Sequence, residues 1–180
     1  MVDAKADWVL QILERYEAPL VRYACGIVGE IECARDVVQD TFLMLCRQDP
    51  GQIGDYVVPW LYKVCRNRAL DVRRKENPMR PLEETDLNTR ASGNPGPSAL
   101  FEHKEALEQA LGIIAGLPPT QREVLLLKLE GDLSYKQIAE ITGLSSSNVG
   151  FILHTAIQKI RERMKTPAVP PAKSAIRRIQ

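Results

Sequence analysis

The sequence lacks an apolar run that approaches the ~20 residues a membrane-spanning helix needs. Charged residues at positions 3, 5 and 7 interrupt its N-terminus, which is unlike a secretory signal. We therefore expect no membrane insertion and a cytoplasmic location. With 180 residues, 44% hydrophobic and 26% charged, the composition is typical of a globular chain of one or two small domains.

Cysteines are few and are not arranged to bind a metal. The four, Cys25, Cys33, Cys46 and Cys65, show no C-x-x-C or Cys/His ligand spacing. Small, mostly buried thiols are the expected interpretation. We infer no zinc site, no disulfide and no cofactor.

A surplus of charge of one sign is also absent, since the formal net charge is +1. The charges are nevertheless segregated along the chain. Residues 1–58 carry 5 Lys/Arg against 10 Asp/Glu, residues 59–76 carry 6 against 2, and the tail from Lys165 carries 4 against none. Such a basic band can attract a polyanion even when the whole protein is near neutral.

Residues 133–156 contain the start and stop signals of two short helices joined by a tight turn. Gly143 tolerates positive φ and can end the first helix, and Ser145 can accept a backbone N–H to start the second. The residues at helical spacing on the inner faces are Ile138, Ala139, Leu144, Val149 and Ile152. The pattern predicts a helix-turn-helix, with an ordinary helical hairpin as the alternative.

The second helix of this motif would enter the DNA major groove. Its inward side, at about 100° per residue, holds Val149, Ile152, Leu153, Ala156 and Ile160, and its outward side holds Ser147, Asn148, Phe151, His154, Thr155 and Gln158. The helix N-terminus can seat a phosphate, hydroxyl and amide groups can bind base edges, and an aromatic ring can meet a thymine methyl. The expected DNA-binding residues are Lys136, Ser146, Ser147, Asn148, Gly150, Phe151, His154 and Thr155. Because the outward face lacks Arg and Lys, a protein-contact face remains the alternative.

Two helices are predicted before the basic band. Residues 8–28 suggest a helical hairpin or a helix kinked at Pro19. In the helix over 31–47, Val38, Thr41, Phe42 and Leu45 form the inner face, and Asp36, Gln39, Asp40, Leu43 and Arg47 lie opposite. That second set is either solvated or a docking surface centred on Leu43.

The basic band forms a further predicted helix, opened by Pro59 after a loop at 49–58 and running to about Lys75. Its inner side is Leu61, Val64, Cys65 and Val72, and its outer side is Lys63, Arg66, Asn67, Leu70, Arg73 and Arg74. Lys and Arg would neutralise phosphates, Asn67 with the loop could read an unstacked base, and Trp60 and Tyr62 could stack on unpaired bases. The alternative is a solvated face beside a core tryptophan.

Residues 77–98 are rich in proline and glycine and lack apolar periodicity, which predicts a flexible linker. A second domain is expected over 99–165, with a helix near residues 100–114, a turn in which Thr120 could cap, and a helix over 124–129 before the motif. The proline-rich basic tail at 166–180 is expected to be mobile. The fold class is all-α, with two small helical domains.

Three motifs in this order resemble the extracytoplasmic-function group of bacterial sigma-70-type sigma factors over nearly all of residues 8–165. RDVVQDTFLML resembles the core-polymerase-binding helix, PWLYKVCRNRALDVRRK the promoter-melting and minus-ten-reading helix, and LPPTQREVLLLKLEGDLSYKQIAEITGLS the minus-thirty-five-reading domain. The resemblance implies core RNA polymerase and promoter DNA as partners, leaves an anti-sigma factor open, and implies no catalysis. It places a region-2-like domain at 1–76 and a region-4-like domain at 99–165.

The resemblance also assigns the candidate surfaces. Polymerase binding falls to Asp36, Gln39, Asp40, Leu43 and Arg47, and minus-ten DNA to Trp60, Lys63, Arg66, Asn67, Arg73 and Arg74. The recognition helix departs from the family, because Gly150, Ile152 and Thr155 replace its customary basic residues. Two alternatives stay open: an interaction protein with the sigma fold but no promoter specificity, and a one-component helix-turn-helix repressor.

Overall fold

The computed structural model describes residues 4–76 and 112–165, and this part of the chain is helical and contains no β-strand. The all-α prediction is therefore confirmed. The helices are α1 (Ala4–Val28), α2 (Ile31–Leu45), α3 (Pro50–Ile53), α4 (Val57–Glu76), α5 (Pro119–Gly131), α6 (Tyr135–Thr142) and α7 (Ser146–Lys165). A 3-10 turn at Gly54–Tyr56 joins α3 to α4. The predicted linker, the start of the predicted helix near 100–114, and the tail lie outside the described residues.

Helix α1 is continuous, so the hairpin interpretation of residues 8–28 is wrong. Pro19 lies inside the helix, where it removes one backbone donor but holds φ near the helical value. Leu20, Tyr23 and Ala24, which follow it, are fully buried. Burial of this apolar stripe against α2 and α4 offsets the lost hydrogen bond.

The segment before the basic helix is more ordered than a loop. Asp49 caps α3, because its carboxylate accepts the backbone N–H of Gly51 at 3.1 Å, and Pro50 occupies the first helical position, where no N–H is needed. Helix α4 then begins at Val57 instead of Pro59. The prediction of a loop missed this Asp-Pro start signal.

Local capping fixes the helix-turn-helix largely as predicted. Gly143 ends α6 with φ of 78°, a left-handed conformation that glycine adopts without a Cβ penalty, and the Ser145 hydroxyl accepts the N–H of Asn148 at 3.2 Å. At the other end of α6, Ser134 and Gln137 form a capping box. The cap predicted at Thr120 is wrong, because Pro118 is the N-cap residue of α5 and Thr120 lies within the first turn of the helix.

One continuous cluster of buried residues extends through both described segments. Helix α1 packs against α2, α4 and α5, and α4 also contacts α6. Tyr23 and Tyr62 meet edge to face at the centre, with ring centroids 5.3 Å apart and ring planes at 71°. The two segments therefore share a packed interface in addition to their own helical contacts.

Candidate nucleic-acid and protein interfaces

The outward face of α2 exposes an apolar residue among polar ones. Leu43 is 61% exposed, and Asp36 and Gln39 are also exposed. Arg47 is exposed but follows the end of α2, so it extends the face without belonging to the helix. An exposed leucine bordered by polar side chains is typical of a protein contact.

Asp40 differs from its neighbours on this face. It is half-buried and forms an ion pair with Arg68 of α4. This carboxylate therefore ties α2 to α4, and its charge is partly compensated before any partner binds.

A groove of about 670 Å³ lies between α1 and α2 beside this face. Its apolar lining includes Val9, Leu13, Val21, Phe42 and Leu43. Leu43 thus connects the exposed face of α2 to a concave apolar surface, the form that a protruding partner side chain requires.

Some polar residues of the basic helix α4 are accessible to solvent, and others are engaged in contacts within the protein. Lys63, Asn67 and Arg74 are exposed, and Arg73 is half-exposed. Arg74 Nη1 lies 3.1 Å from the carboxylate of Asp71 one turn earlier, a surface pair that a phosphate can replace at little cost. Trp60 is half-buried against the core.

Arg66 does not project outward as predicted. Its Nε donates to Glu123 Oε1 of α5 at 2.6 Å, and the two side chains are only 21% and 17% exposed. Burial lowers the pKa of Arg66, but the hydrogen bond and the charge of Glu123 outweigh it and raise that pKa overall. The guanidinium therefore stays charged and engaged.

Tyr62 is a core residue, so the prediction that it stacks on bases is wrong. Its side chain is fully buried against Tyr23. Helical periodicity could have indicated this, because Tyr62 lies about one turn before Cys65 and next to Leu61, and both of these residues are fully buried.

The recognition helix α7 presents its outward residues to solvent. Phe151 is 70% exposed, and Ser146, Ser147, Asn148 and His154 are exposed with it. Lys136 is exposed on α6. Thr155 is half-buried, and its hydroxyl donates to the carbonyl of Phe151 at 2.9 Å, so its donor is already used.

The surface beside Phe151 contains an aromatic residue that the sequence analysis missed. A Cβ added to Gly150 would lie 3.4 Å from the ring of Tyr135, and Tyr135 is half exposed at the start of α6. A side chain at position 150 would therefore be in van der Waals contact with the Tyr135 ring. The available signal was an aromatic residue directly after the Ser134 cap.

The described residues contain no group of three or more His, Cys, Asp or Glu side chains placed to hold a metal. Only Cys65 is buried, whereas Cys46 is exposed and the others are half-buried. The expectation of mostly buried thiols is thus met only at Cys65. Burial raises the pKa of its thiol to about 12.

A helix-turn-helix with an exposed outward face, joined in one chain to a helix with exposed cations, defines a helical DNA-binding transcription protein. Residues 12–78 match the family Sigma-70 region 2, and residues 107–160 match Sigma-70, region 4. No described helix is long and apolar enough to cross a bilayer.

The relatives of this chain are sigma factors. It is 32% identical to the ECF RNA polymerase sigma factor SigL of Mycobacterium tuberculosis, over 88% of this chain and 89% of SigL. It is 28% identical to RpoE of Cereibacter sphaeroides, over 74% of this chain and 71% of that protein. The chain belongs to the ECF group of RNA polymerase sigma factors, a regulatory family that directs transcription initiation.

Solved structures show the same fold. RpoE of Bartonella quintana, in complex with the anti-sigma factor NepR, matches with a TM-score of 0.64 and 21% identity, over 89% of this chain and 98% of that one. CnrH, in complex with the cytosolic domain of CnrY, matches with a TM-score of 0.56 and 21% identity, over 87% of each chain.

Proposed function

We propose that this sigma factor acts without catalysis of its own in the cytoplasm, docking on core RNA polymerase through α2 and opening promoters through α4. The observation that carries the proposal is the exposure of two chemically different faces on one compact core: Leu43 with Asp36 on α2, and Lys63 with Asn67 on α4. The first suits a protein and the second suits a polyanion.

Docking uses Leu43 as its apolar centre. Its side chain would be buried on binding, while Asp36 and Gln39 supply polar contacts around it and Arg47 lies at the rim. Acidic Asp36 favours a basic partner surface. Asp40 supports this face by holding α2 against α4.

Minus-ten recognition uses α4. Lys63, Arg73 and Arg74 neutralise phosphates of the opened strand, and Asn67 hydrogen-bonds an unstacked base. Capture of that base offsets part of the cost of opening the duplex, which is about a few kcal/mol. Trp60, in the first turn of this helix, packs against the core and supports the position of the helix.

Minus-thirty-five recognition uses the outward face of α7. Ser146, Ser147 and Asn148 occupy its N-terminal turn, where backbone N–H groups can hold a phosphate. Phe151 and His154 contact base edges, and Lys136 anchors the backbone from α6. Because the base-facing surface of α7 has no Arg or Lys, specificity here depends on the contacts of Phe151 and His154.

Binding an anti-sigma factor is part of the proposal, supported by the complex in which the Bartonella RpoE was solved. The alternative function, a sigma-fold protein that docks without promoter specificity, draws support from the uncharged face of α7.

Permanganate footprinting of a candidate promoter separates the two functions. Core polymerase with this chain should make thymines near the start site reactive, because their strand is unpaired. Reactivity equal to that with core enzyme alone, at saturating polymerase binding, would favour the docking-only function.

A further inference from the structure

The outward face of α7 combines an exposed aromatic ring with polar side chains of one particular kind. Phe151 is 70% exposed, more than any other large hydrophobic side chain that the structure describes. Its ring is therefore free to meet the edge of a base. The exposed polar side chains around it, which together with Phe151 we call the reading surface, are Ser147, Asn148, His154 and Gln158.

Every polar side chain of the reading surface carries both a donor and an acceptor. A serine hydroxyl, an asparagine or glutamine amide and a neutral imidazole each do so, whereas Arg and Lys only donate and ionised Asp and Glu only accept. Residues 146–158 contain no Lys, Arg, Asp or Glu. Lys159, the first charged residue of α7, is half-buried and donates to Gln121 at 3.2 Å. The polar groups can therefore adapt to either a donor or an acceptor on a base.

The groups beside Phe151 are apolar or already engaged. The Thr155 hydroxyl donates to the carbonyl of Phe151 at 2.9 Å, and Gly150 has no side chain. The Tyr135 ring would lie 3.4 Å from a Cβ added at position 150, so an aromatic ring borders this part of α7. The contact of Phe151 is thus the one that can distinguish between pyrimidines.

In the major groove, thymine and cytosine differ at two positions of the ring. At position 4 thymine presents an acceptor and cytosine a donor, and at position 5 thymine carries a methyl group and cytosine a hydrogen. Polar groups that both donate and accept do not separate the two bases at position 4. An aromatic ring senses position 5, because a methyl group packed against it is removed from water. 5-Methylcytosine carries the same methyl group, so it resembles thymine to such a surface.

We propose that the reading surface recognises pyrimidine C5-methyl groups and accepts 5-methylcytosine wherever it accepts thymine. Methylation of a cytosine in the minus-thirty-five element then strengthens the promoter. Removing one methyl group from water contributes about fourfold in affinity, and several such positions in one element multiply. The inference rests on the function proposed for α7 and goes beyond it, because it makes promoter choice depend on DNA methylation.

Selection from random duplexes tests the proposal without a known promoter. Two pools with the same random segment are amplified, one with deoxycytidine triphosphate and the other with its 5-methyl derivative. Holoenzyme assembled from core polymerase and the full chain selects from each pool. From the methylated pool, cytosine should appear at the upstream positions where thymine alone is enriched from the unmethylated pool. Phe151→Ala should abolish this exchange.

Four duplexes then measure the methyl contribution at one position of the selected upstream element. They carry thymine or uracil opposite adenine, and 5-methylcytosine or cytosine opposite guanine, so the members of each pair differ by one methyl group. Fluorescence anisotropy with holoenzyme should give about fourfold tighter binding for the methylated member of both pairs. With Phe151→Ala both ratios should fall to about one.

Ile157→Ala is the matched control, because Ile157 is an exposed apolar residue of α7 that helical periodicity places on a different side of the helix from Phe151. It should leave both ratios at about fourfold, and circular dichroism checks that both variants remain helical.

A methyl effect for thymine without one for 5-methylcytosine would overturn the proposal, as would two ratios that are unchanged in Phe151→Ala. An enriched upstream motif with the same bases from both pools would also overturn it, while leaving the function proposed for α7 intact. Absence of any enriched upstream motif from either pool is a different result, which would overturn that function together with this inference.

Discussion

Replacing Leu43 by alanine should weaken the binding of core polymerase while leaving the fold intact. Full burial of a leucine side chain contributes about 1.5 to 3 kcal/mol. Because Leu43 is 61% exposed in the unbound chain, its burial against polymerase can supply only the matching share. We expect Leu43→Ala to cost up to about 0.9 to 1.8 kcal/mol, roughly a five- to twentyfold rise in the Kd for core polymerase.

The assay is a fluorescence titration of labelled chain with core polymerase. Leu129→Ala is the matched control, because Leu129 of α5 is also 61% exposed and lies outside the docking face. Equal effects of the two variants, or no effect of Leu43→Ala, would refute the assignment of α2. Asp36→Lys tests the charge of the docking face more directly than Asp40→Lys does, because Asp40→Lys would also place a lysine beside Arg68.

Three further predictions concern DNA and the core. Asn67→Ala should change promoter choice with little change in overall DNA affinity, whereas Lys63→Ala should weaken all promoters and reduce the salt slope by about 1; similar effects of both on every promoter would contradict this division. Replacing minus-thirty-five thymines by uracil should weaken holoenzyme binding for the natural chain but not for Phe151→Ala, and equal sensitivity would exclude a methyl contact. The pKa of Cys65, raised by burial to about 12, exceeds its unfolded value, so stability should be unaffected by this group below about pH 9 and fall above it by up to about 1.4 kcal/mol per pH unit. Urea unfolding at pH 8 and pH 10 measures this fall in the free energy of unfolding, and the fall should be smaller in Cys65→Ala. Maleimide should modify the exposed Cys46 long before the buried Cys65.

The helix-turn-helix was predictable because its determinants are local. Gly143 and Ser145 fix the turn by their own backbone and side-chain chemistry, and the apolar residues repeat with the helical period. The structure places Val149, Leu153 and Ala156 in the core, as the periodicity requires.

The contacts of the basic helix α4 could not be predicted from the sequence. Periodicity separates the faces of α4 but cannot tell which neighbouring element covers a given face. Arg66 and Tyr62 are covered by α5 and α1, and the contact to Glu123 joins residues 57 positions apart. Only the tertiary structure shows that a residue expected to meet DNA instead meets a carboxylate.

The binding assignments of α2, α4 and α7 remain predictions, and the structure supports some of the assigned residues more than others. Leu43 and Phe151 gain support from their exposure. The assignment of Gly150 to the DNA-binding surface stays a prediction, and a Cβ added there would lie 3.4 Å from the Tyr135 ring. The sequence shows that Tyr135 directly follows the Ser134 cap, but its position next to α7 depends on the angle of the turn, which only the structure gives.

Transcription in vitro with purified core polymerase on genomic fragments tests the central proposal most directly. The chain should produce transcripts with discrete start sites that core enzyme alone does not produce, and Asn67→Ala should redistribute them among promoters. Saturating binding of the chain to core polymerase without any new discrete start site would contradict promoter recognition by this protein.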